Sequence, residues 1–373
     1  MAKITYLLGA GASYYACPIL EKQAEMMIIV AKEIIQELGF DQNELLYPTN
    51  INFIDEKYLD LKPNNEYKIL WWMGHFGEMA KEYNTIDTYA RKLFLNDEFR
   101  KYRLLKMSVS VFFDLWENFY SKDFFVNDNL LYNKVDNRYK SLFSVLLDKT
   151  DGKIRLNQDF KFISWNYDLQ LEEAFKLFLG DTFQKKLDDI NNLFEFKSSN
   201  KNNEVFHLNG HRGFFKDTSQ NNETEYLMNI SEKKEDYWKN IDWLYNSTER
   251  RLSNFDNYIR YAWEHNLEDD FFKKISEVMH QTDVLIIIGY SFPAFNRKID
   301  QFLFNKMHPN KIKKIIYQDP NATKQMIANL FEKPENYIDK IEIISDLKEL
   351  KQFYLPNEYF ISQKNGKTEK DLR

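Results

Sequence analysis

Between residues 284 and 353 the chain alternates short, uniformly apolar segments with amphipathic ones, and no other feature of it constrains the fold so tightly. Val284–Ile288, 314–317 and Ile341–Ile344 read as strands, and helical spacing follows each, over 297–307, 323–331 and 347–353. A strand without polar alternation hides both faces, the condition met inside a parallel sheet covered by helices on either side. The N-terminus opens in the same way. Ile4–Leu8 leads into Gly9-Ala10-Gly11-Ala12-Ser13 and then an apolar helix over about 19–38, stopped by Gly39. Further strands are expected at Phe160–Ser164 and 204–208, the first followed by a helix over about 169–179. The expected class is α/β.

Two blocks interrupt this alternation. Residues 39–154 carry apolar residues at three- and four-residue spacing over Ile86–Leu95, 107–120 and 138–147, which predicts a helical insertion. Residues 216–279 are polar and rich in Lys, Glu and Asn, and predict a second helical insertion with a helix over 248–263. The core is then discontinuous, built from 1–38, 155–215 and 280–352, with 353–373 as a C-terminal tail that frays from about 362. A chain of 373 residues is long enough for such a domain.

Composition narrows the function. The net charge of −6 comes from interspersed acids and bases, so no basic face advertises a nucleic-acid partner. The single cysteine, Cys17, excludes an intramolecular disulfide and a four-cysteine zinc site, and fits a reducing cytosol. There is no apolar run of membrane-spanning length and no signal-peptide core, so a cytoplasmic protein without a membrane partner is expected.

Four polar turns sit where strands end. Gly9, Ala10, Gly11 and Ser13 could bring backbone N–H groups and a hydroxyl to a phosphate, although a tight turn without a ligand uses the same glycines. Ser164-Trp165-Asn166-Tyr167-Asp168 follows the second strand, where Asn166 or Asp168 binds a ligand, caps the next helix, or does both. His207-Leu208-Asn209-Gly210-His211 holds two of the chain's 6 histidines. Alternation would put His207 and Asn209 on one face; the commoner role for a histidine at a strand end is structural. Gly289-Tyr290-Ser291 is a small turn, and Asp319-Pro320-Asn321 offers an acid to a ribose or a cap to the following helix. The spacing calls for no metal.

In this order the motifs resemble the sirtuin family, and more narrowly the sirtuin-like NADases of bacterial antiphage defence, in which Gly-Ala-Gly-Ala-Ser, Trp-Asn-Tyr-Asp and Gly-Tyr-Ser-Phe-Pro are familiar wordings; Thr85-Ile86-Asp87-Thr88-Tyr89 is similar too. The resemblance implies a Rossmann-like parallel sheet of sirtuin type and NAD as the substrate, cleaved to nicotinamide and ADP-ribose. It places Gly9, Ala10, Gly11 and Ser13 at the pyrophosphate and Asn166 at the nicotinamide ribose, with Asp168 supporting that loop. Gly289 and Ser291 would line the adenosine side, and Asp319 would reach the adenine ribose.

The departures matter as much. Of the deacylases' Gly-Ile-Pro-Asp-Phe-Arg only Pro18 survives, and the zinc module is missing, which argues against peptide deacylation or ADP-ribosyl transfer. Asn209 stands where the family's catalytic histidine would precede glycine; His207 is then the expected base and His211 the second choice. The resemblance also implies a silent resting state switched on by a homo-oligomer, by an activating partner from a defence operon such as an ATPase or a sensor protein, or by both. The alternative is a non-catalytic subunit that binds NAD or ADP-ribose.

Overall fold

The computed structural model describes residues 2–38, 64–120, 132–150, 153–179, 205–217, 224–227, 234–249, 255–257 and 259–360. Its centre is a six-stranded sheet of β1 (Ile4–Leu8), β2 (Phe160–Ser164), β3 (Val205–His207), β4 (Val284–Ile288), β5 (Lys314–Gln318) and β6 (Ile341–Ile344). Every pairing is parallel and the spatial order is β6-β5-β4-β1-β2-β3. This is the doubly wound, Rossmann-like order, in which the chain reverses direction between the first and fourth strands.

Both faces of β1 to β5 are largely buried because helices cover both, while the edge strand β6 leaves Glu342 exposed. Leu7, Ile163, Leu285, Ile287 and Ile315 point into one apolar core, with α8 (Asp270–Gln281), α9 (Arg297–Phe304) and α10 (Lys324–Ala328) supplying Phe272, Leu303 and Ile327. Their sequence neighbours Tyr6, Leu8, Phe162 and Ile286 point into the opposite core, beneath α5 (Asn137–Leu146) and α6 (Gln170–Lys176). The period of two along each strand divides the side chains between the layers.

A third core is mainly helical. It joins α1 (Leu20–Glu37), α2 (Asn65–Lys81), α3 (Ile86–Leu95) and α4 (Phe99–Leu115) with α7 (Lys234–Glu249), and reaches the sheet through Ala16, Cys17 and Tyr167. Trp71, Trp72, Phe76 and Phe112 fill it.

Three sequence expectations need correction. The block 216–279 is not uniformly helical: Phe214–Asp217, Thr224–Leu227 and Phe255–Asn257 form a small antiparallel sheet, and the helix expected over 248–263 is absent among the described residues. There α7 ends at Glu249, and the backbone of 255–257 is taken up by pairing with 215–217. The helix expected over 347–353 is a single 3-10 turn at Glu349–Lys351, because the Gln318 amide donates to the Glu349 and Gln352 carbonyls at 3.1 and 2.6 Å. Finally, Leu147–Thr150 and Lys153–Leu156 make a hairpin where helix was expected to run on to 147. Gly39, residues 40–63 and the end of the chain from 361, on which the expectation of fraying falls, lie outside the described residues.

Candidate functional site

The loops leaving the carboxyl ends of β1, β2, β3, β4 and β5 converge on one cavity of about 750 Å³. Ala10 and Gly11 line it after β1, Asn166 and Asp168 after β2, and Asn209 after β3. Gly289 and Ser291 line it after β4, and Asp319 after β5. Eight of the residues singled out from the sequence therefore face one space, at the point where the strand order reverses. Gly9, Ser13, His207 and His211 do not line it.

The glycine turn differs from its expected form. One 3-10 turn, Ala10–Ser13, follows β1, and α1 begins only at Leu20, so no α-helix dipole acts at Gly9 or Gly11. Both glycines instead let this turn press against the β4 loop. A Cβ on Gly9 would lie 2.6 Å from the Gly289 carbonyl oxygen, and the Gly11 N–H donates to that oxygen at 2.9 Å. On the outer side Arg138, at the start of α5, donates to the Gly11 and Ala12 carbonyls at 3.0 and 3.1 Å and is held by Asp136. Its guanidinium is the positive group beside the turn.

Beneath the turn, Ser13 joins β1 to β2. Its hydroxyl donates to Asp168 Oδ1 at 3.0 Å and accepts from the Asn166 amide at 3.3 Å. Asp168 also accepts the Gln170 N–H at 3.1 Å, and so serves α6 as well as the cavity. Burial, reinforced by the neighbouring Glu117 carboxylate, pushes Asp168 up to about 7. Two buried polar atoms at the cavity have no partner among the described residues, the Gln23 Nε2 and the Asn209 Oδ1. A polar ligand would satisfy them.

The histidines depart from expectation. The chain turns immediately after His207, with Gly210 at φ +66° and its N–H bonded to the His207 carbonyl, so strand alternation stops before Asn209. Asn209 reaches the cavity while His207 is turned behind it, its Nε2 2.8 Å from Glu172 and its Nδ1 3.4 Å from the Asn166 carbonyl. Burial works to lower its pKa, but the Glu172 carboxylate and these bonds outweigh it and raise it. His207 is thus an ion-paired prop under Asn166. His211 donates from Nδ1 to the Arg212 carbonyl at 2.8 Å, and burial followed by repulsion from His207 lowers it to about 3.

Arg212, 1% exposed, anchors the helical layer: it donates to Asp114 at 2.8 Å and to Glu117, while its backbone N–H holds the Tyr167 carbonyl at 2.9 Å. Cys17, Glu117 and Asp168 place ligand-type atoms within 4.8 Å of one another. The chain already satisfies both carboxylates, Glu117 through Arg212, Leu169 and Gln170 and Asp168 through Ser13 and Gln170, and burial pushes the Cys17 thiol up. The trio needs no ion.

No protein-family model matches the chain, and no curated protein matches it.

The buried carboxyls make stability pH-dependent. Burial pushes Asp114 up to about 7, as it does Asp168. A raised carboxyl gives stability that is complete below its unfolded value, near 4, and is lost as pH rises through about 7. The lowered His211 and His265 oppose this only below their unfolded value of about 6.5. The thermal midpoint is expected to be lower at about pH 8 than at about pH 6; a midpoint that rises over that interval contradicts the assignment.

Proposed function

We propose that this chain is a sirtuin-like NAD⁺ glycohydrolase that releases nicotinamide and ADP-ribose. The observation that carries the reading is the cavity at the reversal of strand order, walled by the loops after β1, β2, β4 and β5. Sheet spacing puts the β2 and β5 loops about 14 Å apart across three strand intervals, a span suited to an extended dinucleotide. Gly11 and Arg138 meet the pyrophosphate, Asn166 the nicotinamide ribose, and Gly289, Ser291 and Asp319 the adenosine half. The unpartnered Gln23 and Asn209 atoms take ligand polar groups.

Cleavage breaks the bond between the ribose carbon and the pyridine nitrogen, and its electron pair leaves with nicotinamide as a neutral ring. The ribose carbon passes through oxocarbenium character and receives a water oxygen, the water giving up a proton. Asp168 lines the cavity and titrates near neutrality, which suits it to accept that proton. The histidines, turned away behind Asn166, are not needed for this step.

One observation favours a second reading, a non-catalytic NAD or ADP-ribose binder: neither histidine lines the cavity. Incubation of the chain with NAD⁺, alone and with the product of the neighbouring gene, separates the two. Free nicotinamide above the buffer rate is expected in at least the second mixture. ADP-ribose binding without release would make the chain a binding subunit, and absence of both would end the dinucleotide reading. A toxic NAD⁺-depleting enzyme needs a silent state, so the reading extends to an antiphage effector released by self-assembly or by a partner.

A further inference from the structure

We infer that Asp87, from the helical layer, forms with Tyr167 and Phe113 a subsite for a cationic aromatic ring, through which the cavity selects an oxidised pyridinium over its neutral reduced form. The second half of that statement rests on the proposed function; the subsite itself rests on geometry alone.

Asp87 lies in the first turn of α3, where an acid often serves the helix end, yet the cap is made by another residue. The Thr85 hydroxyl accepts the Thr88 N–H at 3.1 Å. The Asp87 carboxylate faces the cavity instead, half-buried, and accepts one long hydrogen bond, 3.4 Å from the Tyr167 hydroxyl. Among the described residues no Lys, Arg or His forms an ion pair with it, and no cation influences its titration. Other acids at this end are differently placed: Asp168 is satisfied by Ser13 and Gln170, and Glu117 by Arg212. Burial pushes Asp87 up to about 6, so at neutral pH it is ionised.

A carboxylate removed from water without a counter-charge is unfavourable, and a ligand cation relieves it. The adjoining walls are aromatic. The Phe113 and Tyr167 rings lie 6.0 Å apart at 46° and both line the cavity. Aromatic faces beside a carboxylate suit a flat ring bearing positive charge. Tyr167 follows Asn166 directly, so this subsite sits at the ribose end opposite Asp319. The pyridinium of NAD⁺ is such a ring. The reduced ring carries no charge, and neither does free nicotinamide, so the attraction ends when the bond to ribose breaks and the product is free to leave.

Calorimetry with two fragments tests this on the full chain at about pH 8, where carboxyls are ionised. 1-Methylnicotinamide, with fixed positive charge, is expected to bind about ten-fold tighter than neutral nicotinamide. Asp87→Asn keeps an acceptor for the Tyr167 hydroxyl and is expected to abolish the preference, while Asp87→Glu keeps it. Equal binding of the two fragments by the unaltered chain, no binding of the cation at millimolar concentration, or a preference that survives Asp87→Asn overturns the inference. If Asp87→Asn does not melt cooperatively, the unaltered chain and Asp87→Glu decide. ADP-ribose, which lacks the ring, reports separately on the dinucleotide reading: its binding without a cation preference removes only the Asp87 subsite, and a cation preference without its binding removes only the dinucleotide.

Discussion

Gly289→Ala is expected to destabilise the protein by about 4 kcal/mol or more, a large part of the 5–15 kcal/mol typical of a folded domain. Two costs combine there. Gly289 sits at φ +59°, a conformation that L side chains adopt with strain of order 1–3 kcal/mol. An added Cβ would also lie 2.3 Å from the Gly11 carbonyl carbon and 2.4 Å from the Ala12 nitrogen, and both are backbone atoms that can retreat only if the whole turn after β1 moves. Gly213 offers a control at φ +72°, since its added Cβ would meet only the Asp114 side chain, at 3.1 Å. Gly213→Ala should cost about 1–2 kcal/mol, mostly backbone strain. Urea midpoints of the two variants against the parent measure the difference. Equal midpoints would mean that the two turns are not in contact as described.

The same contact explains what the sequence could and could not say about the turns. Continuous apolar runs at 4–8, 160–164 and 284–288 declared buried strands, because a strand with both faces covered leaves no polar period to read. The glycines could be read as a ligand cradle or a tight turn, and the structure shows the second role at Gly9 and Gly11 without removing the first. What separates the roles is the approach of Gly289 to Gly11, some 278 positions away, which local spacing cannot encode. The 3-10 turn at 349–351 was hidden for a similar reason: its carbonyls are taken by the side chain of Gln318 on another strand. The pairing of Leu147–Thr150 with Lys153–Leu156 was missed, because apolar residues at helical spacing run on to 147 and read as a continuation of the helix before it.

At the site, residues adjacent to strand ends were readable and their partners were not. Asn166 and Asp168 follow β2 directly, and sheet topology alone directs such residues to the crevice. Arg138 and Arg212 come from a helix and a turn that meet this end of the sheet only through tertiary packing, and Asp87 lies in a stretch, 85–89, that only the family resemblance singled out. Arg212 had one available signal, its place two residues after Gly210, but a lone arginine there is more often solvated. The expectation that His207 and Asn209 share a face failed on a single torsion. With the positive φ of Gly210 the strand ends at His207, and the side-chain direction of Asn209 no longer follows from it.

Asn166→Ala separates the chemistry from the scaffold around it. Among the described residues its side chain makes one hydrogen bond, the 3.3 Å donation to Ser13, so the variant is expected to melt near the parent temperature. On the proposed function its amide holds the ribose where charge develops, and removing one such donor costs about 10²–10³-fold in turnover. Nicotinamide release should therefore fall by that factor while ADP-ribose still binds through Arg138 and the adenosine loops. His207 acts on Asn166 from behind, and its substitution should look different. Both ring nitrogens of His207 are engaged, one by Glu172 and one by the Asn166 carbonyl, so His207→Gln is expected to lower turnover through the position of Asn166 without removing the ionisation near pH 7 from the rate profile. Asp168→Asn should remove that ionisation. His207→Ala is the harsher change, because it leaves Glu172 buried and unpaired at a cost of about 3–5 kcal/mol. A folded His207→Gln enzyme that has lost the neutral ionisation would return the proton acceptor to histidine, and a fully active Asn166→Ala enzyme would take the ribose contact away from this loop.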